Sequence, residues 1–182
     1  MTKKILQKEN KVLREIAKEV PLGDVKKTKI QKVLNEMREA LKSQSDGVAI
    51  AAPQIGYSLR IFVVSGKIFN KDFLHPNYTP AETENIEETK EIIKDLIFIN
   101  PKISKLSRDK DWMPEGCLSV RWLYGKTFRS KKTTVTAYDE NGTKFTRGAS
   151  GLLAQIFQHE TDHLNGTLFI DHAKDIKEEL PK

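Results

Sequence analysis

His159, Glu160, Thr161, Asp162 and His163 spell a His-Glu-x-x-His run. On an α-helix, at roughly 100° per residue, positions four apart differ by about 40° in azimuth, so both imidazoles can reach one divalent ion. Glu160 then stands beside any water that ion holds, where a carboxylate serves as general base or acid. The plainer alternative is two ordinary helix histidines with a surface glutamate between them.

A catalytic zinc-type site commonly takes three protein ligands and keeps one position open. Cys117, the single cysteine, lies in Glu115-Gly116-Cys117-Leu118-Ser119 and is the candidate third ligand; otherwise it is a small buried hydrophobe. His75, in a Pro- and Asn-rich stretch, and His172, near the chain end, are expected to be solvated or hydrogen-bonded surface residues. Gly47 to Gly56 is a run of small residues that lets a backbone or ligand approach closely, and Gln54 brings an amide able to donate to a developing oxyanion. Taken by itself, that run reads as a turn followed by a packed stretch.

Together, the three segments resemble the signature motifs of the peptide deformylases: Gly-x-Gly-x-Ala-Ala-x-Gln at Gly47 to Gln54, Glu-Gly-Cys-x-Ser at Glu115 to Ser119, and Gln-His-Glu-x-Asp-His at Gln158 to His163. The likeness continues through Leu164 to Phe169, Arg60 to Val64 and Phe98 to Pro101. It implies hydrolysis of the N-formyl group from the formylmethionine of new polypeptides, with Cys117, His159 and His163 on one divalent metal. Fe²⁺ is implied in the cell, with Zn²⁺, Ni²⁺ or Co²⁺ able to occupy the same ligands in purified protein. Glu160 is then the proton carrier, Gln54 and the Leu118 backbone N–H meet the oxyanion, and Val48, Ala49 and Gly116 face the peptide. Glu115 is either the partner of a ligand histidine or a surface carboxylate. Ala49 stands where the family pattern has glycine. Its methyl strains the backbone if φ is positive there, or narrows the groove if only room is required. Two other readings suit the same helix motif: a zinc endopeptidase with a third ligand further along, at His172 or Glu178, and a non-catalytic, ribosome-associated metal module with a closed site.

The 182 residues, 38% hydrophobic and 31% charged, are expected to form one domain spanning 1–182. No apolar run approaches a membrane span, and a single cysteine excludes an internal disulfide, so a reducing cytoplasm is the expected location. The net charge is +6, yet Asp72 to Asp95 holds seven acids and two bases, net −5, leaving +11 elsewhere. That excess suits a polyanionic neighbourhood, and transient ribosome association is the expectation; no RNA-binding motif and no specific DNA site are seen.

A helix is expected from an Asp24 N-cap to about Gln44, striped by Ile30, Val33, Leu34, Met37 and Leu41. Strands are expected over 59–65 and 96–103, with 66–95 an inserted acidic surface loop carrying a short helix near 87–93. Asn141-Gly142 should join a hairpin of 133–139 and 143–147. The metal helix should run from a Ser150 N-cap to Asn165, with 172–182 a short tail. Without repeating βαβ units, the order favours α+β: mainly antiparallel sheets packed around the histidine helix.

Overall fold

A computed structural model describes residues 2–70 and 93–180. The architecture is α+β. Strands β1 (Ala49–Ala51), β2 (Ile61–Val64), β3 (Leu96–Leu106), β6 (Lys132–Tyr138) and β7 (Lys144–Ser150) form a five-stranded sheet in the order β1-β2-β3-β6-β7. A second, three-stranded sheet is β4 (Lys110–Gly116), β5 (Leu123–Ser130) and β8 (Lys174–Glu178), in the order β4-β5-β8. All strand pairings within these sheets are antiparallel. Helix α1 spans Thr28–Lys42, and α2, which carries both motif histidines, spans Gly151–Leu164.

The stripe on α1 is buried as expected, at Ile30, Val33, Leu34, Met37 and Leu41. The helix begins later than its cap signal, however. Asp24 closes a short 3₁₀ turn, Leu22–Asp24, where its carboxylate meets Lys27 Nζ at 2.5 Å and its carbonyl accepts from Lys27 N–H. A turn-forming Pro21-Leu22-Gly23-Asp24 sequence thus competes with the helix for that aspartate. The hairpin through Asn141-Gly142 forms, with Gly142 at φ 77°. Ser150 sits at the N-cap of α2, but its hydroxyl makes no capping bond; the turn from strand into helix is made by Gly151 at φ 58°. No heavy atom lies near a Cβ built at Gly151, so the requirement there is conformational rather than steric.

Residues 66–69, expected as the start of the loop, form a 3₁₀ turn with Gly66 and Ile68 buried. The expected short helix near 87–93 and His75 lie outside the described residues, apart from Ile93. Lys174–Glu178, expected within a tail, is strand β8, registered against β5 at Tyr124↔Lys177 and Lys126↔Lys174. Its alternation of Lys, Asp, Ile, Lys and Glu carries too few apolar residues to signal a strand, because it is exposed throughout.

Helix α2 is buried on most of its circumference, which accounts for its mixed polar and apolar sequence. One side packs on the five-stranded sheet through Phe157, which meets Phe98 edge-on at 5.0 Å, while Phe98 stacks on Phe62 at 4.5 Å. The other side faces β5, where Gln158 takes Ser130 N–H on Oε1 and donates Nε2 to Ser130 O, both at 2.9 Å. Phe157→Ala removes the ring that seats the helix two residues before His159. We expect a loss of about 3–5 kcal/mol, read as a shift of the urea midpoint with unchanged slope; a loss under about 1 kcal/mol would show that the ring does not hold the helix.

Candidate metal centre

Three elements bring the ligands together. Helical spacing sets His159 and His163 side by side on α2, with ring centroids 4.9 Å apart. Cys117 follows directly after β4 and is held by a tight turn in which Val120 N–H donates to Cys117 O at 3.0 Å. One donor atom from each of Cys117, His159 and His163 lies within 4.8 Å of the others, and Cys117 Sγ is 3.2 Å from His163 Nε2. Sulfur and nitrogen ligands on one tetrahedral cation, with bonds of about 2.3 and 2.0 Å, stand roughly 3.5 Å apart, so the donor set fits such an ion closely. This is a metal site of one thiolate and two imidazoles.

His159 is oriented by Glu115, whose Oε1 accepts from Nδ1 at 2.6 Å, leaving Nε2 for the site. Glu115 is therefore buried rather than a surface carboxylate. Arg129 binds it twice, Nη2 to Oε1 at 2.7 Å and Nε to Oε2 at 3.1 Å, and reaches Asp162 with Nη1 at 2.6 Å. Burial pushes Glu115 upward, but the His159 and Arg129 hydrogen bonds outweigh it and hold the carboxyl far below the usual range. Arg129 was not singled out in the sequence. Its signal is alternation: Thr127 and Arg129 share the buried face of β5 with Gly125, a polar inward series unusual for a strand.

Glu160 is almost fully buried, and its Oε2 has no hydrogen-bond partner among the described residues. Burial raises its pKa to about 7; His159 pulls it down, while Glu115 and Asp162 add to the rise. Gln54 closes the opposite wall from the 3₁₀ turn Ala52–Ile55 that follows β1. Its Oε1 accepts from Ala51 N–H at 2.8 Å, which fixes the amide so that Nε2 faces Ser119 Oγ at 3.1 Å and Cys117 Sγ at 3.6 Å. Ser119, the last residue of the Glu-Gly-Cys-x-Ser motif, is a second participant, with a role that the motif by itself does not assign.

Ala49 does not have a left-handed φ, so its methyl carries no backbone strain. The residue is buried in the cluster that includes Phe62, Val64 and Phe157. Gly116, at the end of β4, lies beneath Tyr124, whose Cδ1 would be 2.6 Å from an added Cβ. His172 lies outside the ligand group, 3.3 Å from Asp162 Oδ2, and Glu178 is on exposed β8.

Fold and site together define an α+β metalloprotein whose His-Glu-x-x-His helix takes a cysteine from a neighbouring strand end as third ligand. The polypeptide deformylase family model matches residues 2–179. Peptide deformylase 1A, chloroplastic/mitochondrial, of Arabidopsis thaliana is 36% identical over 88% of this chain, and the alignment spans 57% of that protein's length. Peptide deformylase 2 of Clostridium acetobutylicum is 36% identical over 90% of this chain and 89% of its own. A Met-Ala-Ser-bound class I type b peptide deformylase from Acinetobacter baumannii superposes with a TM-score of 0.77 at 25% identity, covering 94% of this chain and 98% of that one. The chain belongs to the polypeptide deformylase family.

Without a bound cation, burial opposes a charge on His159, but hydrogen bonds donated to Cys117 and Glu115 and the charges of Cys117 and Glu160 raise its pKa well above the ordinary value. A metal must displace that proton, so metal affinity is expected to fall as pH is lowered through this raised pKa. Glu115→Ala should weaken metal affinity by about 10- to 100-fold. Competition with a chromophoric chelator across pH measures both, and an affinity independent of pH and of Glu115 would contradict this arrangement.

Proposed function

We propose that this chain removes the N-formyl group from the formylmethionine of newly made polypeptides, releasing formate. The observation that carries the reading is the buried, unpartnered Glu160 carboxylate beside Cys117, His159 and His163, with the Gln54 amide aimed into the same space. A divalent cation held by those three ligands supplies Lewis acidity, lowering the pKa of water and polarising a carbonyl. Glu160 accepts the proton of the attacking water as its oxygen bonds to the formyl carbon, and returns it to the amine nitrogen as the C–N bond breaks. Gln54 Nε2 and the Leu118 backbone N–H donate to the oxyanion.

The peptide has a place to lie. β1 is an edge strand of its sheet and β4 an edge strand of the other. Ser65 N–H donates to Val48 O, so antiparallel alternation turns Ile50 toward β2 and leaves the Ala49 N–H and C=O facing outward. An extended peptide can add to this edge by strand pairing, with Val48, Ala49 and Gly116 as its neighbours. The Met-Ala-Ser bound to the Acinetobacter relative is consistent with such a ligand. In this reading the role of Ala49 lies in its backbone, since its side chain packs in the core.

The endopeptidase reading is less favoured, because the third ligand is Cys117 and His172 turns to Asp162 instead. The closed-module reading is disfavoured by the amide and carboxylate that converge on the ligands without coordinating geometry of their own. Fe²⁺ is the proposed cellular metal, with Zn²⁺, Ni²⁺ or Co²⁺ substituting in purified protein. One domain, a cytoplasmic site of action and transient ribosome contact complete the proposal. No helix among the described residues is long and apolar enough to cross a membrane.

Hydrolysis of formyl-Met-Ala-Ser, with unformylated and internal peptides as controls, tests the activity; cleavage of the internal peptide instead would favour the endopeptidase. Glu160→Ala should keep its metal and lose about 10²- to 10⁴-fold in kcat. Glu160 works ionised, and a bound cation draws its pKa below the metal-free value of about 7, so kcat/KM should fall as pH drops through an acidic limb below 7. A flat profile down to pH 5 would remove Glu160 from proton transfer.

Gln54→Ala should lower kcat by roughly 10²-fold with little change in KM. A packing role would instead lower thermal stability and leave the activity of folded, metal-loaded protein intact.

A further inference from the structure

The outward face of the three-stranded sheet takes no part in the metal site. Register places Trp112 opposite Phe128, and Lys126 opposite Lys174. Directly opposed residues share a face, and alternation sends Glu115, Thr127 and Arg129 to the other side, against α2. The outward face therefore carries two aromatic rings, one on edge strand β4 and one on central strand β5, 39% and 51% exposed, with centroids 5.3 Å apart. Lysines frame them. Lys174 Nζ lies 4.5 Å from the Trp112 ring centre and Lys110 Nζ 5.9 Å from that of Phe128. Lys177, opposite Tyr124, extends the basic edge. Asp175 pairs with Lys126 at 3.2 Å, and no ion pair among the described residues takes up Lys110, Lys174 or Lys177.

The spacing of flat π surfaces and ammonium groups selects the ligand. A protein partner is disfavoured because lysine is depleted at the centres of protein interfaces. An anionic bilayer accepts aromatic rings at its headgroup level but presents no planar groups in alternation with its charges. A single-stranded nucleic acid offers both in alternation, bases to stack on aromatic side chains and phosphates for the lysines, whereas a duplex keeps its bases stacked on one another. RNA is preferred to DNA because the proposed substrate is a newly made peptide, and that choice alone rests on the proposed function.

We propose that the outward face of β4-β5-β8 binds single-stranded RNA, with bases stacking on Trp112 and Phe128 and phosphates held by Lys110, Lys174 and Lys177. Fluorescence anisotropy of a labelled oligoadenylate strand with the full, metal-loaded chain tests this, beside the same-length DNA strand, an RNA duplex and phosphatidylserine vesicles. Binding should weaken with salt, and Lys110→Glu with Lys174→Glu should cut affinity by at least about tenfold and reduce the log–log salt slope by roughly 1.4, at about 0.7 per phosphate contact. Trp112→Ala should cost about 5- to 100-fold, the worth of one stacked base, with Trp112→Phe restoring most of it and Phe128→Ala as the independent second variant. Metal content and formyl-Met-Ala-Ser turnover should stay at the parent level in all of these, since their side chains face away from Glu115. If the parent deformylates poorly yet binds RNA in this pattern, the face stands and the functional reading falls. The proposal is overturned if both aromatic variants bind as the parent does. It is equally overturned if the duplex, DNA or vesicles bind more tightly, or if Lys29→Glu with Lys42→Glu on α1 costs as much.

Discussion

The buried ion pair between Arg129 and Glu115 is the contact on which the site depends. A carboxylate and a guanidinium removed from water are costly unless every lone pair and N–H finds a partner. Here Glu115 is met by Arg129, Thr127, Gln155 and His159, and Arg129 spans Glu115 and Asp162. The pair joins the end of β4, the inward face of β5 and the middle of α2. Those are the segments that must stay fixed for a cysteine on one and two histidines on another to share an ion. The tautomer of His159 follows from the same contact, because Nδ1 is spoken for and Nε2 is left to the metal.

Around that contact, α2 behaves as a core element rather than a surface helix. Phe157 anchors it to the stacked Phe62 and Phe98, and Gln158 fastens its other side to the end of β5. Glu160 is buried between these layers with no hydrogen-bond partner for Oε2 among the described residues, which leaves that oxygen free for a ligand at the site. Its raised pKa follows from that enclosure, and in the proposed reaction this is the carboxylate that carries the proton. Stability and reactivity thus come from the same packing.

Each sheet has two edge strands, β1 and β7 in the five-stranded sheet and β4 and β8 in the three-stranded one, and of these β1 and β4 lead directly into Gln54 and Cys117. An open edge is ordinarily an aggregation hazard. Here β1 is only three residues long, lies against the metal ligands through Gln54, and leads into a 3₁₀ turn, and the ligand proposed for it is a short extended peptide segment. The proposed substrate matches that length and shape.

Much of this was legible in the chain. Cys117, His159, His163, Glu160 and Gln54 stand out because metal and acid–base chemistry restrict residue type and spacing. The hairpin at Asn141-Gly142 and the α1 stripe stand out because local geometry restricts them too. The start of α1 and strand β8 did not, since a competing turn at Pro21 to Asp24 and an exposed, charged strand leave no local signature. Nor did Arg129, the role of Ser119 or the fate of Ala49, whose meaning lies in partners 10 or more positions away, such as Glu115 for Arg129, Gln54 for Ser119 and Phe157 for Ala49. By itself the sequence determined the donor atoms and the chemistry open to them, because those are properties of side chains and of helical spacing. Only the tertiary structure decided which nitrogen of His159 faces the ion, that Glu115 is buried and charged, and that β1 is an open edge, because each depends on what the fold brings alongside from distant parts of the chain.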